Sequence, residues 1–485
     1  MVDRTVLIQK MTAALGPQGV ISEHKQLRTY ECDGLAGYRV VPSLVALPED
    51  AEGVRRAVGV CHELGVPFVA RGSGTGLSGG ALPVEEGVLI VLAKMRRILD
   101  VDLPNQRVVV EPGVINLWVT EAVAPRGYYY APDPSSQLVC SIGGNVAENS
   151  GGAHCLKYGF TTNHVTGLEV VLADGATVHL GGKAPDAPGY DLLGAFVGSE
   201  GTLGVATRVT LRIVRKPEDV RTLLAAFPST DEAGAAVSGI IATGIVPAAV
   251  EMMDALAMEA AEAAVHAGYP MDAGALLIVE LDGPTAEVAH QFVAVERLCQ
   301  ENGSTEIRIA RDDDERALFW KGRKAAFAAV GRISPDYYVQ DGVIPRTELP
   351  AVLREIAALG AERGLRVANV FHAGDGNLHP LVLYDAEIAG QAEDAEELSG
   401  EILLTCLKHG GSITGEHGVG ADKKKYMPKM FSDADMDTMQ LVRCAFDPAH
   451  LCNPGKVFPT PRLCGEVPGP YHAHPLEAAG LAERL

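Results

Sequence analysis

The sequence predicts a two-domain α+β protein, on three observations. The chain runs to 485 residues, more than one hydrophobic core ordinarily covers. Near residue 217 the pattern changes from short β-rich runs between turn residues to longer strand–helix alternations. Glycine-rich stretches crowd the first half, whereas glycine-framed histidines and a glutamate occupy the second.

After an N-terminal segment, 1–37, the first domain is expected over 38–217. Its opening, LVALPEDAEGVRRAVGVCHELGVPFVARG (44–72), reads as strand, helix, strand. Val54, Ala57, Val58, Cys61 and Leu64 fall at helical spacing, and Pro48-Glu49-Asp50 opens the helix. Beyond a glycine loop, the runs 87–95, 106–113, 167–180 and 204–214 are β-rich and bounded by turn residues. Residues 218–459 form the second domain, whose strands and helices alternate as in an α+β domain packed on one sheet. There the helix 312–330 opens with acids that suit its positive N-terminal end, and 366–384 reads as two strands around a glycine turn. A tail, 460–485, is punctuated by proline and glycine, with a helical pattern returning in 475–485.

A formal charge of −21 argues against a nucleic-acid partner, which needs a basic footprint. The start, MVDRTVLIQKMTAALG, lacks the apolar core of a signal peptide, and no run is long enough to span a membrane; a soluble cytoplasmic chain is expected. Nine cysteines without a CxxC pair favour reduced thiols and argue against an iron–sulfur cluster in this chain.

Gly74-Thr75-Gly76-Leu77-Ser78-Gly79 satisfies GxGxxG after a strand, but Gly80-Ala81-Leu82-Pro83 follows in place of the helix that a dinucleotide fingerprint must open. The stretch ARGSGTGLSGG (70–80) is then either a tight surface turn or a nest of N–H groups for phosphate. Similar small, polar stretches recur at Pro132–Ser136, Ser141–Asn145 and Gly198–Gly204, and one large phosphorylated cofactor explains them together. In the second domain, FHAGDGNLHP (371–380) and GEHGVG (415–420) supply His372, His379 and Glu416, two imidazoles and a carboxylate suited to Zn, Mn or Fe. Each histidine taken alone reads more readily as a hydrogen-bonded structural residue, and it is the glycine framing and the neighbours that favour a ligand.

In order, ARGSGTGLSGG, APDPSSQ, SIGGNVAENSGG and GSEGTLGV resemble the FAD-binding domain of the vanillyl-alcohol oxidase and p-cresol methylhydroxylase (PCMH) superfamily. FHAGDGNLHP, GEHGVG and NPGKVFP resemble its FAD-linked oxidase C-terminal domain. More narrowly, YECDGLAGYR (30–39), GGAHCLKYG (151–159) and RISPDYYVQDGVIPR (332–346) look like the D-subunit family of glycolate oxidases. The resemblance implies a two-domain α+β flavoprotein, with a PCMH-type FAD-binding domain and a substrate/cap domain.

By that resemblance Arg71, Gly72, Ser73, Gly74, Thr75, Gly76, Leu77, Gly79 and Gly80 cradle the pyrophosphate. Pro132, Asp133, Ser135, Ser136, Ser141, Gly144, Asn145 and Ala147 line flavin and ribitol, and Glu200, Gly201 and Val205 add adenine-side or phosphate contacts. Members with covalent flavin often carry histidine in the first loop; Thr75 stands there here, so non-covalent FAD is expected. His372, His379 and Glu416 match the family's divalent-metal ligands.

The implied reaction is hydride transfer from a small 2-hydroxy acid to flavin, with metal-assisted deprotonation and His417 as general base. Arg323 pairs with the substrate carboxylate on one reading, and on the other is a solvated charge like Lys321 and Lys324. Ala325, Ala326, Phe327 and Val339 suggest a small apolar pocket, placing glycolate before D-lactate. The implied partners are a second flavin-type subunit and an iron–sulfur subunit, with peripheral membrane association through them. A non-catalytic flavin-binding subunit is the competing reading. It predicts loss of the C-terminal metal and base residues, which are all present.

Overall fold

The computed structural model describes residues 2–184 and 188–459; the helical pattern expected in 475–485 lies outside them. The architecture is α+β, as expected, and each half of the chain builds its own sheets.

In the first half, a four-stranded sheet has the order Val20–Ile21, Leu44–Ala46, Val88–Val91, Phe68–Arg71, the last three parallel. Helix Ala51–Leu64 covers it through Val54, Ala57, Val58 and Cys61. The Asp50 carboxylate caps this helix by accepting from the Gly53 N–H at 2.7 Å. Helix Arg4–Leu15 adds Leu7 and Met11 to the same core. A five-stranded antiparallel sheet follows in the order Ile98–Asp102, Arg107–Val110, Val205–Arg212, Val165–Val171, Thr177–Gly181. The run 167–180 is therefore a hairpin. Strand Ile98–Asp102 escapes a hydrophobic pattern because its residues are half-buried or exposed.

The second half is a nine-stranded sheet with helices on both faces. Along Asp219–Phe227, Leu223, Ala225 and Phe227 face the helices Thr230–Ala242, Thr285–Glu301, Leu349–Arg363 and Gln391–Lys408. The alternate residues Leu224 and Ala226 face Ala255–Val265 and Asp313–Ala329. The last described stretch then returns to the first sheet. The Phe68 N–H donates to the Leu451 carbonyl, and the Asn453 N–H to the Phe68 carbonyl, both at 2.8 Å. That return carries GEHGVG against the glycine loop, where the Ala421 N–H donates to the Ser78 carbonyl at 2.9 Å.

Among the described residues no helix is long and apolar enough to cross a membrane. Seven described cysteines are free thiols, as their spacing leads one to expect.

Candidate active site

Strand Phe68–Arg71 feeds the glycine loop. No N–H group from Ser73 to Gly80 donates to an acceptor in the described residues, although Ser78, Gly79 and Gly80 are buried. Buried backbone donors without acceptors are rare, and a consecutive run of them fits an anionic diphosphate. Gly74 has φ 70°, and a Cβ there would strike the Arg71 guanidinium, which donates to the Cys32 carbonyl at 2.7 Å. Gly72 lies against Ser141 and Gly144, so the two glycine-rich stretches run side by side.

The other expected cofactor residues divide by what their side chains do. The Ser141 hydroxyl accepts from the Gly144 N–H at 3.4 Å, capping the short helix Ile142–Glu148. Buried Asn145 accepts from Asn116 at 3.0 Å, and the Pro132 carbonyl accepts from the same Asn116 amide at 3.2 Å. The Ala147 carbonyl accepts from the Glu200 N–H at 2.8 Å. The Glu200 carboxylate takes the N–H groups of Val419 and Gly420 at 2.6 Å each, and Val205 is spent in the core of the first sheet. Gly201 lies beside Asn453, while Ser135 is exposed and Ser136 half-buried. Asp133 is held by His154, whose Nδ1 is 3.0 Å away and whose Nε2 reaches Glu280 across the sheet boundary at 3.2 Å.

The expected metal residues converge. His372 ends strand Arg366–His372, and His379 stands just before strand Pro380–Tyr384, with their rings 5.0 Å apart. Glu416 Oε1 lies 3.1 Å from His379 Nε2 and 3.4 Å from His372 Nε2. The ligand atoms of the three fall within 4.8 Å of one another, as do those of Asp341, His379 and His417. His372 Nε2 and Glu416 Oε2 are buried without hydrogen-bond partners, so this donor set fits a divalent cation. Gly151 opens the way between the two halves: a Cβ there would lie 2.7 Å from Glu416 Oε2.

Two acids that the sequence did not single out organise this cluster. Glu251 Oε1 is 2.7 Å from His372 Nδ1, which leaves Nε2 facing Glu416. The Oε2 of Glu251 is 2.6 Å from Arg323, itself 2% exposed, so Arg323 is a buried, paired charge and not a solvated one. Asp341 Oδ2 accepts from the Thr414 hydroxyl at 2.6 Å and from the N–H groups of Gly415, Glu416 and His417 at 2.9, 3.1 and 2.9 Å. An acid inside the apolar strand AAVEMMD was the available signal for Glu251, because buried charges come paired. Asp341 lies in the stretch 332–346 that carries the family resemblance, but no spacing or pattern marked it as part of the site.

Electrostatics follow the geometry. Burial would lower His372, but Glu251 outweighs it and holds the imidazole well above its usual range. Burial would raise Glu416, but His372 and His379 hold it well below. Burial brings His417 down to about 4 against the pull of Asp341, so its imidazole is neutral near pH 7. His417 stacks on His379 at 5.0 Å, and the Phe327 ring stands 5.7 Å from His379 as an apolar wall. Ala326 instead points into the core.

A flavin-binding unit with an acid–histidine cluster against it defines an oxidoreductase class. Residues 42–181 match the FAD binding domain, and residues 216–457 match the C-terminal domain of FAD linked oxidases. The chain belongs to the FAD-linked oxidases, and it is an FAD-linked oxidoreductase. It is 52% identical over 473 residues to glycolate oxidase subunit GlcD of Escherichia coli K12, covering 98% of this chain and 95% of that one. It is 38% identical to the GlcD subunit of Bacillus subtilis, covering 93% and 96% of the two chains. Identity to D-lactate dehydrogenase of Anaerostipes hadrus is 30%, covering 91% and 95%. The structure of p-cresol methylhydroxylase with substrate bound shares the fold, with a TM-score of 0.79 at 18% identity, covering 93% and 96%.

Proposed function

We propose that this flavoenzyme oxidises a small 2-hydroxy acid, glycolate to glyoxylate first and D-lactate to pyruvate second, at the His372–His379–Glu416 cluster. The observation that carries the reading is Gly151, where the glycine-rich stretch of the FAD unit meets Glu416. The order of substrates follows the relatives named as glycolate oxidase subunits, at 52% and 38% identity, against the D-lactate dehydrogenase at 30%. We take 1–37, 38–217, 218–459 and 460–485 as the N-terminal segment, the FAD-binding domain, the oxidase domain and the tail.

When bound, FAD supplies the hydride acceptor and a divalent metal the Lewis acidity that acidifies the substrate hydroxyl. His372, His379 and Glu416 would hold the metal, and Glu251 fixes the His372 tautomer. Neutral His417 accepts the hydroxyl proton as the C2 hydride leaves. Arg323 keeps Nε without a hydrogen-bond partner and offers it to the substrate carboxylate, while its Nη2 is held 2.6 Å from Glu251. Asp341 fixes the loop that carries Glu416 and His417. Phe327 limits the pocket on the His379 side.

Electrons leave through partner subunits, a second flavin-type chain and an iron–sulfur chain, with peripheral membrane attachment through them. The naming of the relatives as subunits and the absence of a CxxC pair from this sequence support that assembly. The test is anaerobic mixing of metal-replete protein with glycolate and, separately, D-lactate. Bleaching of the flavin band is expected with both, faster with glycolate, and a flavin that stays oxidised with both sinks the reading.

A further inference from the structure

One half-buried glutamate borders the unused donors of the glycine loop without taking any of them. Glu148 ends the helix Ile142–Glu148, and its Oε1 lies 2.5 Å from where a Cβ on Gly80 would sit and 3.8 Å from that of Gly76. No loop N–H donates to it. Its Oε2, turned toward Gly418, is buried and has no hydrogen-bond partner. Glu200 shares the space, with Oε2 3.5 Å from the Gly80 position and Oε1 2.9 Å from that of Gly418.

The charged groups facing Glu148 come from four parts of the chain: Glu200, Asp33 of the N-terminal segment, Lys423 after GEHGVG, and Lys456 near the end of the described chain. All but Glu148 have partners. Glu200 holds the Val419 and Gly420 N–H groups, and Asp33 holds those of Leu35 and Ala81. Lys423 lies 3.4 Å from Asp341, and Lys456 donates to the Leu82 carbonyl at 2.7 Å. Three acids thus face two lysines, and the acid without a donor lies closer to the Gly80 position than Glu200 does. Burial, with Glu200 beside it, raises the Glu148 carboxyl well above the usual range.

We propose that Glu148 is a proton-linked cofactor residue: FAD binding requires its carboxyl to be protonated, and FAD uptake by the ionised protein takes up a proton there. The inference rests on the reading that the loop 72–80 holds the FAD pyrophosphate. A diphosphate on that loop adds two negative charges beside Glu148 in a water-poor site, where an ionised carboxylate would have neither donor nor counter-charge to spare. The protonated carboxyl is neutral and turns an acceptor into an O–H donor. The balance is one carboxylate, one solvent proton and one FAD giving the neutral acid with FAD bound. The sign follows from linkage. Below the carboxyl pKa of the FAD-free protein affinity is flat, and from there up to the pKa of the loaded protein it falls by as much as about tenfold per pH unit.

The experiment is calorimetric titration of FAD into full-length, FAD-stripped protein between about pH 6 and 9, in buffers of different ionisation enthalpy, for wild type and Glu148→Gln. The wild type is expected to take up a proton within that range and to lose affinity as pH rises. Glu148→Gln is expected to bind FAD without proton uptake at Glu148 and with a flatter pH profile, and Glu148→Ser gives the same readout should the glutamine variant misfold. Equal proton uptake in wild type and variant, or none in the wild type across the range, overturns the proposal. Failure of the loop reading shows itself separately, as unchanged FAD affinity in Gly74→Ala.

Discussion

Glu251 is the acid on which the Arg323 charge and the His372 tautomer both depend, so its removal has two separable consequences. Glu251 and Arg323 are 1% and 2% exposed, with 2.6 Å between their charged atoms. Glu251→Ala leaves a buried guanidinium without its counter-charge, which costs about 3–5 kcal/mol of stability. It also leaves His372 Nδ1 without the acceptor 2.7 Å away, and loss of such a support lowers metal affinity by about 10–100-fold. Adding Arg323→Met to Glu251→Ala removes the stranded charge, so the double variant should recover most of the lost stability. It should not recover metal affinity, because His372 still lacks its acceptor. Urea unfolding at matched FAD loading measures the first quantity, and competition with a calibrated chelator the second. A single variant within about 0.5 kcal/mol of wild type, with unchanged metal affinity, refutes the assigned role of Glu251.

Asp341 is held well below the ordinary carboxylate range, with burial opposed by His417 and Lys423. Its contribution is therefore present above the unfolded value near ~4 and is lost as pH falls through the folded one; acid titration should show a shallower stability loss in Asp341→Asn, and identical slopes would contradict this. His417→Ala should keep FAD and metal yet lose rapid flavin reduction by glycolate, a rate loss of about 10²–10⁴ in stopped flow; normal single-turnover reduction removes His417 from the base role. Gly151→Ala puts a methyl 2.7 Å from Glu416 Oε2 and 2.9 Å from the Phe160 ring, and should lower bound metal while leaving the flavin spectrum intact. With Thr75 in the first loop, acid precipitation should release flavin to the supernatant; a yellow pellet would show a covalent link.

The sequence disclosed what local chemistry controls. The apolar period and Pro48-Glu49-Asp50 announced helix Ala51–Leu64, and the opening acids announced the helix Asp313–Ala329; the structure adds Asp50 and Asp312 as their caps. Glycine-framed histidines announced the acid–histidine cluster. What stayed hidden depends on strand register and chain return. Glu251 meets His372 because the two face each other in paired antiparallel strands, 121 positions apart. Arg323 was ambiguous along its helix, and burial of Phe319, Gly322, Arg323 and Ala326 on one face decides it. The Glu200 clamp on Val419 and Gly420 spans more than 200 residues, in a part of the chain whose stretch 451–453 docks on Phe68.

The most direct test of the central claim is single-turnover flavin reduction by glycolate, comparing wild type with Glu416→Gln at equal FAD occupancy in metal-replete buffer. If the His372–His379–Glu416 cluster serves the flavin, wild type bleaches and the variant, still yellow and folded, bleaches slowly or not at all. Equal rates in the two would place the chemistry elsewhere in the molecule.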